Sequence, residues 1–374
     1  MDLTEIFLAN FEHPETSLVR TYFETLGFLP EQRNGEAHFY KYSSEKEEYR
    51  ILTQGVGCRL LPAALLEMQG NDALDFLHRI TTNDLKTLPA NHFKKTIFTN
   101  EKGRILDRVS VLNFGDKQLL IGNSGTQQKL FLWINRYIIM DDVKVQNAAD
   151  HHSVFEIFGP QARSFMTLLC GEQCKELQGN EIRMLTLEDF SFYVTPNISV
   201  SGIESFYLVA RQPDAVKLLQ YARMNKGIFD FGFVGEDAYE IYRIERGIPS
   251  ERELNDHYNP HEAKLLDDVS FTKGCYIGQE VIARLATYDK VQKYFCGFVL
   301  SNSEVTEKEF LLVDNELNEI GVITSSVFSP SLQKRIGLGY LKKDFIDGEN
   351  ALKAIGKNSK VEVSVTVHSL PFKD

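Results

Sequence analysis

The chain has 374 residues, about 2.5 typical domain lengths, so two or three domains are expected. Hydrophobic residues make up 43% and charged residues 25%, with 25 Gly and 11 Pro, which excludes a disordered, collagenous or coiled-coil chain. With 41 basic against 52 acidic residues the net charge is −11, which speaks against a general binder of nucleic-acid backbone. In chain order, Ser17 to Leu26 has helical spacing and stops at Gly27. Asp72 to Ile80 reads as a helix with Ala73, Leu74, Leu77 and Ile80 on one face, capped by Asn71 or Asp72. Arg108 to Phe114 and Gln118 to Gly122 read as strands, followed by a helix from Thr126 to Tyr137 that buries Leu130, Trp133, Ile134 and Tyr137.

The middle third has another rhythm. Val154 to Phe158 reads as a strand, and Gly159-Pro160 opens a helix that runs through Cys170 to Gly171. Strands at Phe190–Thr195 and Phe206–Ala210, a helix from Pro213 to about Gly227 and a strand at Ile228–Val234 complete a β-α-β-β-α-β order. That order is the signature of a ferredoxin-like unit. A helix after Gly235 carries Tyr239, Ile241, Tyr242 and Ile244, and Ser250 to Asp268 reads as a polar, loop-like stretch, solvated around His257–Glu262. From Val291 on, short alternating strands (Tyr294–Leu300, Phe310–Val313, Ile320–Val327, Arg335–Leu341, Val361–Val367) imply a small closed or sandwich-like β domain.

The densest chemistry lies in Lys273-Gly274-Cys275-Tyr276-Ile277-Gly278-Gln279-Glu280. Two glycines allow tight turns close to a ligand. A lysine two residues before a cysteine can favour thiolate, making the sulfur a nucleophile, a metal ligand or a redox handle. A cysteine that simply packs in a turn fits the same residues. Elsewhere the motifs are poor. Cys170-x-x-x-Cys174 has no second pair at zinc spacing. Pro260 breaks the turn that would join His257 to His261, and Gly55-Val56-Gly57 lacks the third glycine of a dinucleotide loop. No metal site is expected. Five cysteines form no disulfide framework, the start Met1–Glu5 is acidic where a leader is basic, and no apolar run is long enough to span a membrane. A reduced, cytoplasmic protein is expected.

The Lys273–Glu280 run, preceded by Asn259-Pro260-His261-Glu262 and by Arg243-Ile244-Glu245-Arg246-Gly247-Ile248-Pro249, resembles the signature of the YgfZ family. These are folate-binding proteins related to the aminomethyltransferase (T-protein) of the glycine cleavage system. Upstream, Gly70-x-Asp72-Ala73-x-x-Phe76-Leu77, Thr82-Asn83-Asp84-Leu85 and Asn100-Glu101-Lys102-Gly103-Arg104-Ile105-Leu106-Asp107 stand in the same order, so the resemblance covers roughly residues 50 to 370. It implies an α+β, T-protein-like three-domain fold. A discontinuous first domain (1–150 and 235–290) would be followed in space by a ferredoxin-like unit (151–234) and a C-terminal β-barrel (291–374).

The resemblance also implies a channel for tetrahydrofolate and a role in assembling or repairing iron–sulfur clusters, including those of enzymes that modify tRNA. Iron–sulfur client proteins would be its partners. In T-proteins a Gly-Gly-Ile-Ile/Leu-Asp-Asp segment supplies the Asp that orients the folate amine; Asp107 matches the first Asp, while Arg104 and Arg108 replace the second Gly and the second Asp. Two such cations beside Asp107 would favour its ionised form. Ile203 stands where a pterin-binding Glu belongs, so Glu204 serves only with a register shift, and Tyr239 stands where T-proteins carry an Arg. Both departures argue against aminomethyl transfer. The resemblance thus assigns Cys275 and Lys273 as the reactive pair together with Asp107, and Arg104, Asp107, Glu204, Tyr276 and Gln279 to folate. A folate-dependent one-carbon transferase, or a scaffold that has lost its ligand, are the alternatives.

Overall fold

The computed structural model describes residues 18–33, 36–39, 41–199, 202–288, 290–346 and 352–373. Met1–Glu5, Ser17 and Ser201 lie outside these. The chain opens with helix α1 (Leu18–Thr25), the hairpin β1 (Pro30–Arg33) and β2 (Glu36–Phe39), helix α2 (Glu45–Gln54) and strand β3 (Val56–Leu60). Ser44 caps α2 by accepting from the Glu47 amide at 3.2 Å, and three glutamates in its first turn suit the helix dipole. There follow β4 (Leu65–Gln69), α3 (Ala73–Ile80), β5 (His92–Thr99), β6 (Ile105–Asn113), β7 (Lys117–Ile121), α4 (Gln127–Tyr137) and β8 (Lys144–Asn147). These strands form one antiparallel sheet in the order β5-β6-β7-β4-β8.

The middle segment runs β9 (His152–Phe158), α5 (Ala162–Cys170), the single turn α6 (Glu172–Lys175), β10 (Arg183–Leu187), β11 (Phe190–Ile198), β12 (Glu204–Arg211), α7 (Gln212–Met224) and β13 (Phe231–Phe233). Its sheet has the order β10-β11-β12-β9-β3-β13. Two strands depart from the expected unit. β10 adds an edge, and β3 arrives from the N-terminal segment to lie antiparallel to β9 and parallel to β13. Then come α8 (Glu236–Glu245), a short turn at Leu266–Asp268 and α9 (Gln279–Tyr288). Last is a closed barrel of β14 (Lys293–Leu300), β15 (Phe310–Val313), β16 (Glu319–Ser329), β17 (Lys334–Lys342), β18 (Leu352–Gly356) and β19 (Glu362–His368), closed by pairing of β14 with β19. No helix among the described residues is long and apolar enough to cross a membrane.

Strand alternation decides what each sheet face does, because neighbouring side chains point to opposite faces. On the first sheet Phe98, Val109, Val111 and Leu120 pack against Leu130, Phe131 and Ile134 of α4 and against α3. Trp133 and Tyr137 are only half-buried at the margin of this core, a correction to their expected burial. On the middle sheet Cys58, Phe155, Ile157, Phe206 and Leu208 face α5 and α7. The remaining faces of the two sheets meet through Phe93, Leu112, Leu119, Ile121, Val154 and Val209. That apolar contact covers only part of the shared surface. Beyond it, both inner faces turn polar.

Candidate functional site

The polar ends of the two inner faces enclose a cavity of about 230 Å³, bordered also by α8, by residues 248–254 and by Lys308 before β15. From β5 and β6 it receives Lys95, Arg108 and Ser110, which share a face through the pairings Lys95 with Ser110 and Ile97 with Arg108. From the middle sheet it receives Arg59, Glu156, Tyr207 and Asn197. Arg59 binds the Glu156 carboxylate through Nε and Nη2 at 3.0 and 2.9 Å and reaches Glu236 at 3.3 Å. Its guanidinium lies 3.2 Å from the centre of the Tyr239 ring. So where Tyr239 replaces an arginine, a cation from β3 occupies the neighbourhood instead.

Burial and charge set the protonation of this wall. Burial pushes the Glu236 carboxyl up to about 7, with Arg59 opposing. Burial pushes the Lys95 amine down to about 7, and the nearby Arg108 adds to the shift. Lys95 Nζ donates to the Ile198 carbonyl, and Arg108 Nε binds Asp268 at 2.6 Å.

Asp107 takes the other face of β6. It is buried and accepts from the Asn123 backbone N–H (3.2 Å), Asn123 Nδ2 (2.6 Å) and Thr126 Oγ1 (2.5 Å), at the start of α4. It is not among the residues lining the cavity; Gly122 is, and a Cβ there would sit 2.4 Å from Asp107 Oδ2. The carboxyl therefore stands behind a glycine in the cavity wall. The expected help from two arginines is absent, since Arg104 binds Glu262 at 3.0 Å and Arg108 binds Asp268. Burial dominates, and the carboxyl is pushed up to about 6.

The other sequence-derived candidates lie apart from the cavity lining. Glu204 pairs with Arg163. Lys273 donates three hydrogen bonds to carbonyls, of His78, of Thr81 at 2.5 Å and of Asn83 at 2.9 Å, so its ammonium ties the loop to the end of α3. It also sits 4.8 Å from the ring centre of Tyr276, which is buried beside Ile97, Ile105 and Ile282. Gln279 opens α9. Gly278, at φ +84°, lets the loop pass the Asn100–Gly103 turn, where a Cβ would meet the Asn100 carbonyl at 2.6 Å.

Cys275 is exposed, whereas Cys58, Cys170, Cys174 and Cys296 are buried. Brief treatment of the folded protein with iodoacetamide should therefore modify Cys275 alone, read by mass spectrometry of peptides; labelling of the other four at a comparable rate would contradict this packing. The segment His257–Glu262 is not the solvated loop expected. His261 is buried with Nε2 2.8 Å from the Ile282 carbonyl, and the buried Glu262 accepts from the Asn259 amide.

Residues 37–273 match the GCVT N-terminal domain, and residues 293–374 match the glycine cleavage T-protein C-terminal barrel domain. The chain belongs to the glycine cleavage T-protein family. A chloroplastic transferase candidate of Arabidopsis thaliana is 29% identical over 314 residues, covering 82% of this chain and 68% of that protein. The aminomethyltransferase of Staphylococcus carnosus is 25% identical over 327 residues, covering 85% and 87%. The crystal structure of the glycine cleavage system aminomethyltransferase T from Bartonella henselae superposes with a TM-score of 0.83 over 96% of this chain and 98% of that one, at 19% identity. The T-protein-like architecture, with its C-terminal barrel, is thus the fold of this chain.

Sequence reasoning did not single out Arg59, Lys95, Glu156, Asn197 or Glu236. The signal for Lys95 was a lysine at an inner position of His92-Phe93-Lys94-Lys95-Thr96-Ile97, between two apolar residues at period two.

Proposed function

We propose that this chain is a tetrahydrofolate-binding protein of the YgfZ type. It holds folate in the cavity between its two sheets and supports the assembly or repair of iron–sulfur proteins, including those that modify tRNA, through the exposed Cys275. The observation that carries this reading is the direction of Arg108. In the T-protein segment two Asp residues end the Gly-Gly-Ile-Ile/Leu run; here the first is Asp107, on the far face, and the second is Arg108, which lines the cavity. A carboxylate that orients a folate amine needs to face the ligand. A guanidinium in that place, paired with Asp268, supplies no carboxylate for the folate amine and leaves folate bound but not turned over.

The transferase alternative draws less support, because its acid would act from behind Gly122. The ligand fits the wall chemically: cations and hydroxyls on β5 and β6 suit the carbonyl and carboxylate groups of folate, and Tyr207 offers flat apolar surface. Lys273 acts in this reading as the clamp that presents Cys275, with Tyr276 and Gln279 framing the loop. A reduced, cytoplasmic setting fits five free cysteines.

Calorimetric titration with tetrahydrofolate is expected to show micromolar binding by the wild-type chain and by Cys275→Ala alike. In cells lacking the chain, activity of an iron–sulfur enzyme should fall and be restored by the wild type but not by Cys275→Ala. Absence of binding would remove the folate role, and full rescue by Cys275→Ala would remove the thiol's.

A further inference from the structure

The cavity wall contains a hydrogen-bonding chain with one open end. Arg59 donates twice to Glu156 Oε2, and Ser205 Oγ donates to Glu156 Oε1 at 2.7 Å. A hydroxyl has a single hydrogen, so with that hydrogen on the carboxylate Ser205 meets the Asn197 side chain as an acceptor, from Nδ2 at 3.0 Å. This fixes which way the amide is turned. Its other end, Asn197 Oδ1, accepts nothing among the described residues, although Asn197 is only 6% exposed. A buried amide oxygen without a donor is a standing cost to the fold. Asn197 also lines the cavity, as does Lys95, whose Nζ donates to the next carbonyl along β11, that of Ile198.

We propose that Asn197 is a ligand-binding residue of this cavity, whose side-chain oxygen takes an N–H group of a flat heterocycle. Arg59, Glu156 and Ser205 are positioning residues that hold the amide in the accepting orientation. The inference rests on the folate reading. On the pterin ring of tetrahydrofolate the N–H groups are of two kinds: the exocyclic amine with its neighbouring N3–H, which folic acid also has, and the ring N5–H and N8–H, which folic acid lacks.

The test is calorimetric titration of the wild-type chain, Asn197→Leu and Asn197→Ala with tetrahydrofolate and with folic acid, alongside the melting temperature of each protein without ligand. Both variants are expected to bind tetrahydrofolate at least about tenfold more weakly, since the ligand N–H is then buried unpaired. Without ligand, the Leu variant should melt no lower than the wild type, because it removes an orphaned acceptor. A merely structural asparagine would do the reverse, losing stability and keeping affinity. If both ligands weaken alike, the donor is the exocyclic edge; if only tetrahydrofolate weakens, it is the ring N–H. Binding by Asn197→Ala within threefold of the wild type overturns the inference, and so does Asn197→Leu if it folds and does the same. If the wild-type chain binds neither ligand, the folate reading itself falls and takes this inference with it.

Discussion

Replacing Glu253 by alanine should destabilise the protein by about 3–5 kcal/mol, one of the largest effects any single change here would have. Glu253 is fully buried, and its carboxylate is the meeting point of three segments. Oε2 takes Arg243 Nη1 from α8 at 3.1 Å and the Ser250 amide and hydroxyl at 2.8 and 2.9 Å. Oε1 takes Thr324 Oγ1 and Ser325 Oγ from β16, each at 2.6 Å. Its backbone carbonyl takes the Tyr340 hydroxyl of β17 at 2.8 Å. The alanine variant leaves Arg243 buried, held by Glu240, the Ile248 carbonyl and Ser325, and takes the carboxylate from the Ser250, Thr324 and Ser325 hydroxyls, of which Thr324 keeps the Leu338 carbonyl at 3.1 Å. Losing one partner of a buried ion pair costs more than the pair contributes, since the remaining charge stays desolvated. Glu253→Gln keeps the shape and some of the bonds, and should cost about 1.5–3 kcal/mol. Urea unfolding followed by fluorescence checks both; a loss below about 1 kcal/mol for the alanine variant would show that the barrel is held on by its apolar contacts alone.

Why some of this was legible and some was not follows from the local chemistry. The barrel strands at Tyr294–Leu300 and Arg335–Leu341 stand out because β-branched and aromatic residues alternate between turn signals. Leu352–Gly356 did not, since Ala354 and Gly356 carry little strand preference. The middle unit was readable from its helix openers and closers, such as Gly171 at φ +72°. β3 was not, because Val56-Gly57-Cys58-Arg59-Leu60 is short and is stabilised by partners a hundred residues or more later, β9 on one side and β13 on the other. Lys273–Glu280 was conspicuous as a motif, but spacing cannot say which side of the fold a loop occupies. The polar cavity residues come one or two at a time from β3, β5, β6, β9, β11 and β12, each looking locally like an isolated polar interruption in a strand. Such interruptions are where a sequence departs from the rules of folding for the sake of a site.

Asp107 supplies the second large effect, and its sign depends on the wall it stands behind. Its carboxyl is pushed up to about 6 by burial, against 3.8 for an ordinary Asp. The folded chain therefore holds a proton that the unfolded chain releases between about pH 4 and 6. Stability falls as pH rises through that window, because the unfolded state there binds fewer protons. Above pH 6 the loss is complete, at about 3 kcal/mol for a shift of this size. Asp107→Asn removes the titration while keeping an oxygen for the Asn123 amide. The difference in unfolding free energy, wild type minus Asp107→Asn, is expected to fall by about 2.5 kcal/mol between pH 4 and pH 7, with the wild type relatively stronger at the acid end. Urea unfolding of both proteins at unit steps of pH measures it directly. A difference that rises with pH would mean that the donors from Asn123 and Thr126, and the start of α4, outweigh burial and hold the carboxylate ionised. In that case the negative charge behind Gly122 acts on the cavity at neutral pH, adding to the carboxylate of Asp268 that already pairs with Arg108, and the argument against transferase chemistry weakens.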